Sequence, residues 1–276
     1  MNECYGKKFI LNGNLQPAEM FDNSLVYEGD SVYEVLRTIK GTPIFFSDHM
    51  ERLTSSVRLQ KKELLVQIPA LRKVIFELSR SDKIKESNLK IVFNYNQGVS
   101  NYLVYFINSV YPTDLQYKNG VKGILFSAER KDPESKVINH KLRSSIYHRL
   151  ITDGSYEAIL VNENDFITEG SRSNIFFLKG ETLFTAPDNS VLNGITRKHV
   201  IEICNEINIK IEYSFIAVKD IEKYDGVFMT GTSPVILPFS HVDDKLFKVK
   251  FPLIERIQKL YIQRAEASLS QFRPGI

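Results

Sequence analysis

The chain has 276 residues, 43% hydrophobic and 25% charged, with a formal net charge of +3. That length carries one large domain or two modest ones with real cores, and the composition is that of a globular chain. Charge this close to balance, with no basic run, argues against nucleic acid or an anionic membrane as main partner, and no apolar run approaches the roughly 20 residues of a membrane span.

The N-terminal "MNECYGKKFI" has an acid early and no long apolar core, so no signal peptide is expected. Cys4 and Cys204 do not form a disulfide framework, and free thiols suit a reducing cytosol. The cytoplasm is the expected location.

"KKFILNGNLQ" predicts a strand with Asn-Gly turn chemistry. "SVYEVLRTIKGTPIFF" predicts two strands joined around Gly41 and Thr42. In "SDHMERLTSSVRLQ", Met50, Leu53 and Val57 have helical spacing, with Ser47 or Asp48 as N-cap. "IPALRKVIFELSR" predicts an amphipathic helix with Pro69 in its first turn. "NLKIVFNYN" and "NYLVYFINSV" predict adjacent strands with Gln97-Gly98 in the turn.

The polar stretch "YPTDLQYKNG" marks the interdomain linker, assigned to 113–120, between an N-terminal lobe over 1–112 and a C-terminal lobe over 121–276. A strand, "KGILFSAER", and a helix beginning near Asn139 follow. Next come three β runs, "YEAILVNE", "DFITEG" and "SNIFFLKGETLFTA", separated by turn-forming stretches. "ITRKHVIEICNEI" predicts a helix with Val200, Ile201, Cys204 and Ile207 on one side. "YDGVFMTGTSPVILPF" predicts strand, loop, strand, and "FPLIERIQKLYIQRAEASL" a final helix. The expected fold class is α+β with two lobes.

There is no P-loop, no G-x-S-x-G elbow, no C-x-x-C and no pair of histidines at zinc-ligand spacing. No metal is expected. What remains is phosphate-handling chemistry. In "LNGITRKHV", a glycine precedes a helix start, where free backbone N–H groups and the Thr196 hydroxyl can hold an anion. "MTGTSPV" can form a nest of N–H groups. Glu169, in "ITEGSRSNIFFLKG", is an acid that a plain hairpin does not need. Read singly, each has an ordinary alternative: a capped helix, a tight turn, an exposed hairpin acid. Arg52 reads equally as a surface ion-pair residue, and His49 as a structural hydrogen-bonding group.

In series, "VYEVLR…HMERL", "YEAILVNENDFITEGSRSNIFF", "LNGITR" and "MTGTSPV" resemble the class IV aminotransferases. These are the fold-type IV pyridoxal-phosphate enzymes, with branched-chain and D-amino acid aminotransferases and aminodeoxychorismate lyase among them. The resemblance implies the two-lobed D-amino acid aminotransferase-like fold and pyridoxal 5'-phosphate as cofactor. It implies that Glu169 binds the pyridine nitrogen, that Ser173 and Asn174 also bind the cofactor, and that Arg52, Ile195, Thr196, Gly231 and Thr232 hold the phosphate while Leu192 packs on the ring. A Schiff-base lysine is required, and "ESKVINHKLRSS" supplies Lys136 and Lys141. The family often shows Lys followed three residues later by Asn before a helix. Lys136 with Asn139 fits that register, and its separation from Glu169 is closer to the family's.

Tyr33, Arg37, Thr232 and Ser233 match substrate-side positions. "VYEVLR" is similar to the V-F-E-G-I-R stretch of branched-chain enzymes, so Arg37 is the carboxylate candidate; its alternative is an ordinary ion pair on a strand. Arg143 and Arg172 have weaker claims. "NYNQGVSNYL" lacks the Arg and His that D-amino acid aminotransferases place there, and the Arg usual in the lyases. The resemblance thus implies amino transfer between an α-amino acid and a 2-keto acid, branched-chain-like. The alternatives are 4-amino-4-deoxychorismate lyase activity and a non-catalytic binding module. It also implies a homodimer, with the "NYNQGVSNY" loop reaching the partner subunit.

Overall fold

The alternation in "DSVYEVLRTI" organises the first sheet. In a computed structural model, which describes residues 2–130 and 132–272, strand β3 (Asp30–Ile39) buries Val32, Glu34, Leu36 and Thr38 and leaves Tyr33, Val35 and Arg37 half-buried. A strand whose side chains alternate faces must produce this pattern when one face meets the core. The chain divides into two units. The first comprises Met1–Val110, Ser135–Ile138 and Arg264–Ile276; the second comprises Tyr111–Glu134 and Asn139–Gln263.

The first unit opens with the hairpin β1 (Lys8–Leu11) and β2 (Asn14–Pro17), whose turn residues Asn12 and Gly13 both have positive φ. This is the geometry that Asn-Gly favours in two-residue hairpins. A single helical turn, α1 (Ser24–Tyr27), precedes β3, and β4 is only Thr42–Pro43. Helices α2 (Phe46–Leu59) and α3 (Ile68–Asp82) come next, then β5 (Glu86–Asn96) and β6 (Val99–Ile107). The sheet order is β2-β1-β6-β5-β3-β4. Its buried face, including Leu36, Ile91 and Val104, packs with Met50, Leu53 and Val57 of α2 and Leu71, Ile75 and Leu78 of α3.

The N-cap of α2 differs from the expected Ser47 or Asp48. It is Phe45, in the left-handed region at φ 50°, with no side-chain cap. Its backbone N–H is instead satisfied by Ser268 Oγ at 3.1 Å. Asp48 lies in the first turn, where a carboxylate favours the helix dipole.

The second unit opens where a linker was expected. Residues Asp114–Asn119 form a short helix, α4, whose N-cap Thr113 and Gln116 make a reciprocal capping box. The ten-stranded sheet contains β7 (Val121–Ser127), β8 (Glu157–Val161), β9 (Phe166–Gly170), β10 (Asn174–Lys179), β11 (Thr182–Thr185), β12 (Ile211–Tyr213), β13 (Ile216–Ala217), β14 (Gly226–Gly231), β15 (Val235–Val242) and β16 (Lys245–Leu246). Its order is β12-β11-β10-β14-β15-β7-β8-β9-β13, with β16 paired to β15. Helix α5 (His140–Asp153) starts at Asn139, whose side chain caps Leu142 N–H. Helix α6 (Ile195–Glu206) buries Val200, Ile203 and Cys204. Ile203 rather than Ile201 completes its apolar side, because positions three and four apart share a face, and Ile207 lies past the helix as its C-cap. Helix α7 (Pro252–Ser268) closes the chain.

Candidate active site

Lys136 sits on a short segment that extends the sheet of the first unit. Val137 forms a bridge with Val32 on the edge of β3. Tyr33 N–H donates to Lys136 O at 3.0 Å, Ile138 N–H to Ser31 O at 3.1 Å, and Lys136 N–H to Ser56 Oγ of α2 at 3.1 Å. Val137 joins the helix-side core, while Ile138 joins the cluster on the opposite face. The Lys136 amine stands 4.9 Å from the centre of the Tyr33 ring. A lysine that must meet a ligand repeatedly needs such a fixed backbone. Lys141, by contrast, is exposed on α5, as is Arg143.

On the other face of β3 lies a group that the sequence reading did not assemble. Glu34 is fully buried, and Arg52 approaches it in a bidentate fork, Nε to Oε1 and Nη2 to Oε2, both 2.8 Å. His49 Nδ1 lies 2.8 Å from Glu34 Oε2. Burial alone raises the Glu34 carboxyl, but Arg52, followed by His49, outweighs it and holds the group down to about 2. His49 is pushed below its ordinary value, chiefly by burial and further by the charges of Arg52 and Lys136, with Glu34 opposing. Arg52 therefore has a fixed orientation set by two charge-assisted bonds. In the sequence, Glu34 carries one signal: an acid at an inward position of an alternating strand.

In the second unit, Glu169 lies near the end of β9 and is 2% exposed. Its Oε2 accepts from Leu192 N–H at 3.1 Å and its Oε1 from Arg130 Nη1 at 3.2 Å. Asn174 Nδ2 donates to Leu192 O at 2.7 Å, so the Leu192 peptide is held on both sides. The turn after Glu169 is fastened by another buried acid, Glu157. Its two oxygens accept from the Ser171 and Ser173 hydroxyls, while Ser171 N–H donates to Ala158 O at 2.8 Å. A Cβ on Gly170 would collide with Ser173 Oγ. The small residues after Glu169 are thus needed for close packing. Arg172 is exposed, with Nη2 3.4 Å from Tyr156 O.

Residues expected to hold phosphate fall into two places in this unit. Gly194 is the N-cap of α6 and provides no side-chain cap to the N–H groups of the first turn, including Ile195 and Thr196. A Cβ on Gly194 would meet Asn174 Oδ1, so the glycine permits the helix start to approach β10. Thr196 Oγ1 lies 3.3 Å from Tyr261 OH. Arg197, which the sequence reading missed, is 2% exposed and pins the preceding loop through Asp188 Oδ1 at 2.6 Å and Ala186 O at 2.9 Å.

Gly231 and Val235 pair across β14 and β15, leaving Thr232, Ser233 and Pro234 at the tip. Val235 has φ 56°, an uncommon conformation for a β-branched residue, and Tyr117 OH donates to Pro234 O at 3.0 Å. Strain of this kind gathers at ligand-holding loops. Beside the turn, Thr230 Oγ1 is buried without a hydrogen-bond partner. In the second unit, a helix start without a side-chain cap and a buried carboxylate suit a phosphorylated aromatic ring; in the first, an amine on pinned backbone suits an aldehyde.

Residues 31–242 match the family model described as amino-transferase class IV. The aminodeoxychorismate lyase of Bacillus subtilis is 25% identical over 240 residues, covering 81% of each chain. The D-alanine aminotransferase of Bacillus licheniformis is 25% identical over 226 residues, covering 78% of this chain and 80% of its own. The branched-chain aminotransferase of Thermoproteus uzoniensis, solved with norvaline, superposes with a TM-score of 0.84 at 23% identity over 98% of both chains, which shows the fold. Among the described residues, no helix is long and apolar enough to cross a membrane. The chain belongs to the class IV aminotransferases, a family of enzymes with the fold-type IV architecture.

Proposed function

We propose that the protein is a pyridoxal-phosphate-dependent aminotransferase that moves an amino group between an α-amino acid and a 2-keto acid, with a branched-chain-like substrate preference. The observation that carries this reading is Lys136, whose backbone is fixed at β3 and α2 while its amine lies over Tyr33. Pyridoxal phosphate, when bound, supplies an aldehyde for an amine and a ring that draws electrons from the substrate Cα.

Lys136 would hold the cofactor's aldehyde, and its amine would act as the base that moves a substrate Cα proton. Glu169 would bind the ring nitrogen and favour its protonated form. Its alignment comes from Leu192 N–H and Arg130 and is reinforced by the Glu157-anchored turn containing Ser173. Ile195 and Thr196 at the start of α6, with Gly231 and Thr232, offer N–H and hydroxyl donors to phosphate oxygens. Arg52 adds a cation whose direction Glu34 sets. Leu192 contributes apolar contact to the ring.

Arg37 shares the half-buried face of β3 with Tyr33 and serves as carboxylate donor, with Ser233 as a further hydroxyl. The reading includes a cytoplasmic homodimer in which the loop around Gln97 and Gly98 completes the partner's substrate pocket. The test mixes the purified protein and cofactor with L- and D-amino acids and either 2-oxoglutarate or pyruvate, and identifies the amino-acid products. Formation of glutamate from leucine, isoleucine or valine is expected. Release of pyruvate from aminodeoxychorismate with no amino transfer to any keto acid would replace this reading by the lyase.

A further inference from the structure

Helix α7 links the two places in the second unit that offer donors to phosphate. It buries Ile254, Ile257 and Tyr261 against that unit. Gln258 Nε2 donates to Ile236 O at 2.8 Å. Ile236 follows Val235, the residue of φ 56° that pairs with Gly231 across the turn. Three residues further along, Tyr261 is 3% exposed and brings its hydroxyl to 3.3 Å from Thr196 Oγ1 in the first turn of α6. Positions three apart on a helix share a face. One face of α7 therefore reaches both the strand that leaves the turn and the start of α6. The ring of His199, also on α6, meets the Tyr261 ring edge-on with centres 6.4 Å apart and restrains the phenol.

The direction of the Tyr261–Thr196 bond decides what Thr196 can offer. A threonine hydroxyl has one proton. If that proton goes to Tyr261, only lone pairs face an anion, and they repel it. If Tyr261 donates instead, the Thr196 proton is left for a phosphate oxygen, and the accepted bond polarises the O–H further. Helical threonines often donate to the carbonyl four residues back, here Leu192 O. That oxygen already accepts from Asn174 Nδ2 at 2.7 Å and from Gly194 N–H at 2.8 Å, which uses both its lone pairs. Across β10 and β14, Asn174 pairs with Thr230, so the two side chains share a face of the sheet. Thr230 Oγ1 is buried without a partner, so a second hydroxyl on that face has a proton to offer.

We infer that Tyr261 is a positioning residue for phosphate binding: its phenol donates to Thr196 Oγ1 and turns the Thr196 proton towards the anion. The inference rests on the phosphate site of the proposed function, and Tyr261 acts there only through Thr196.

The test is equilibrium dialysis of the cofactor-free full-length protein with pyridoxal phosphate and, separately, with pyridoxal, which lacks the phosphate. Tyr261→Phe keeps the ring and removes the donor. It should weaken pyridoxal phosphate about fivefold, the worth of one hydrogen bond, and leave pyridoxal unchanged. In a Thr196→Val background the same substitution should cost nothing more, because the group it positions is gone. Tyr261→Met is the second variant and carries the comparison if the phenylalanine variant unfolds. Unchanged affinity for pyridoxal phosphate in a folded Tyr261 variant, an equal loss for pyridoxal, or a full loss that persists in Thr196→Val overturns the inference. A parent protein that binds pyridoxal phosphate no better than pyridoxal overturns the phosphate site and the inference with it. The expected pattern in a protein that transfers no amino group would leave the inference standing and overturn the aminotransferase reading alone.

Discussion

Replacing Glu34 with Gln separates the ionic role of this residue from its packing. The side chain keeps its size and can still hydrogen-bond, but Arg52 loses a buried counter-charge held by two 2.8 Å bonds. The Glu34 carboxyl falls from an ordinary 4.5 to about 2 in the folded protein. At 1.36 kcal/mol per unit this corresponds to about 3 kcal/mol of stability, the low end of the ~3–5 kcal/mol observed when one partner of a buried pair is removed. Because the folded-state pKa is the depressed one, the contribution is complete above the unfolded value of about 4.5. It fades as pH falls towards about 2.

Urea unfolding followed by far-UV circular dichroism, with hydrogen exchange of the α2 amides as a local probe, should show Glu34→Gln less stable by about 3 kcal/mol at about pH 7. The gap should narrow steadily below about pH 4. His49, held neutral by burial, adds a loss in the same direction as pH drops below its ordinary range, and a larger one in Glu34→Gln, which lacks the carboxylate that favours the protonated imidazole. A gap below about 1 kcal/mol, or one that stays constant down to about pH 2.5, would refute the ion-pair argument.

Gly194→Ala places a Cβ against Asn174 Oδ1 and should displace the Asn174 bond to Leu192 O. Pyridoxal-phosphate affinity measured by equilibrium dialysis should fall about tenfold with the circular dichroism spectrum unchanged, and unchanged affinity would count against the helix start as phosphate site. Glu157→Gln should loosen the turn that follows Glu169, so the Ser171 amide should exchange roughly tenfold faster by NMR. Exchange at the parent rate would deny Glu157 its anchoring role. Thr113→Ala removes the capping box of α4 and should destabilise the second unit by about 1 kcal/mol in urea, whereas a true linker would give no change.

Local chemistry made the fold legible wherever one element's pattern sufficed. The alternation of "SVYEVLRTI", Asn12-Gly13 and the Asn139 cap each predicted their element directly. One local reading failed for an identifiable reason. Phe45 caps α2 because its N–H partner, Ser268, lies 223 residues further along the chain, beyond any local pattern.

The candidate site divides along similar lines. Lys136, Glu169 and the α6 start each have an ordinary alternative when read singly, and only the series of motifs that resembles the family singles them out. Glu34, Glu157 and Arg130 are legible only as charges inside apolar or turn-forming runs, because their partners are 18, 16 and 39 residues away.

The account stands or falls on which lysine carries the cofactor. The protein incubated with pyridoxal phosphate is reduced with borohydride, digested and mapped by mass spectrometry. The account predicts one pyridoxyl group, on the peptide containing Lys136, and none in Lys136→Ala. A pyridoxyl group on Lys141, or no attachment at any lysine, would contradict it.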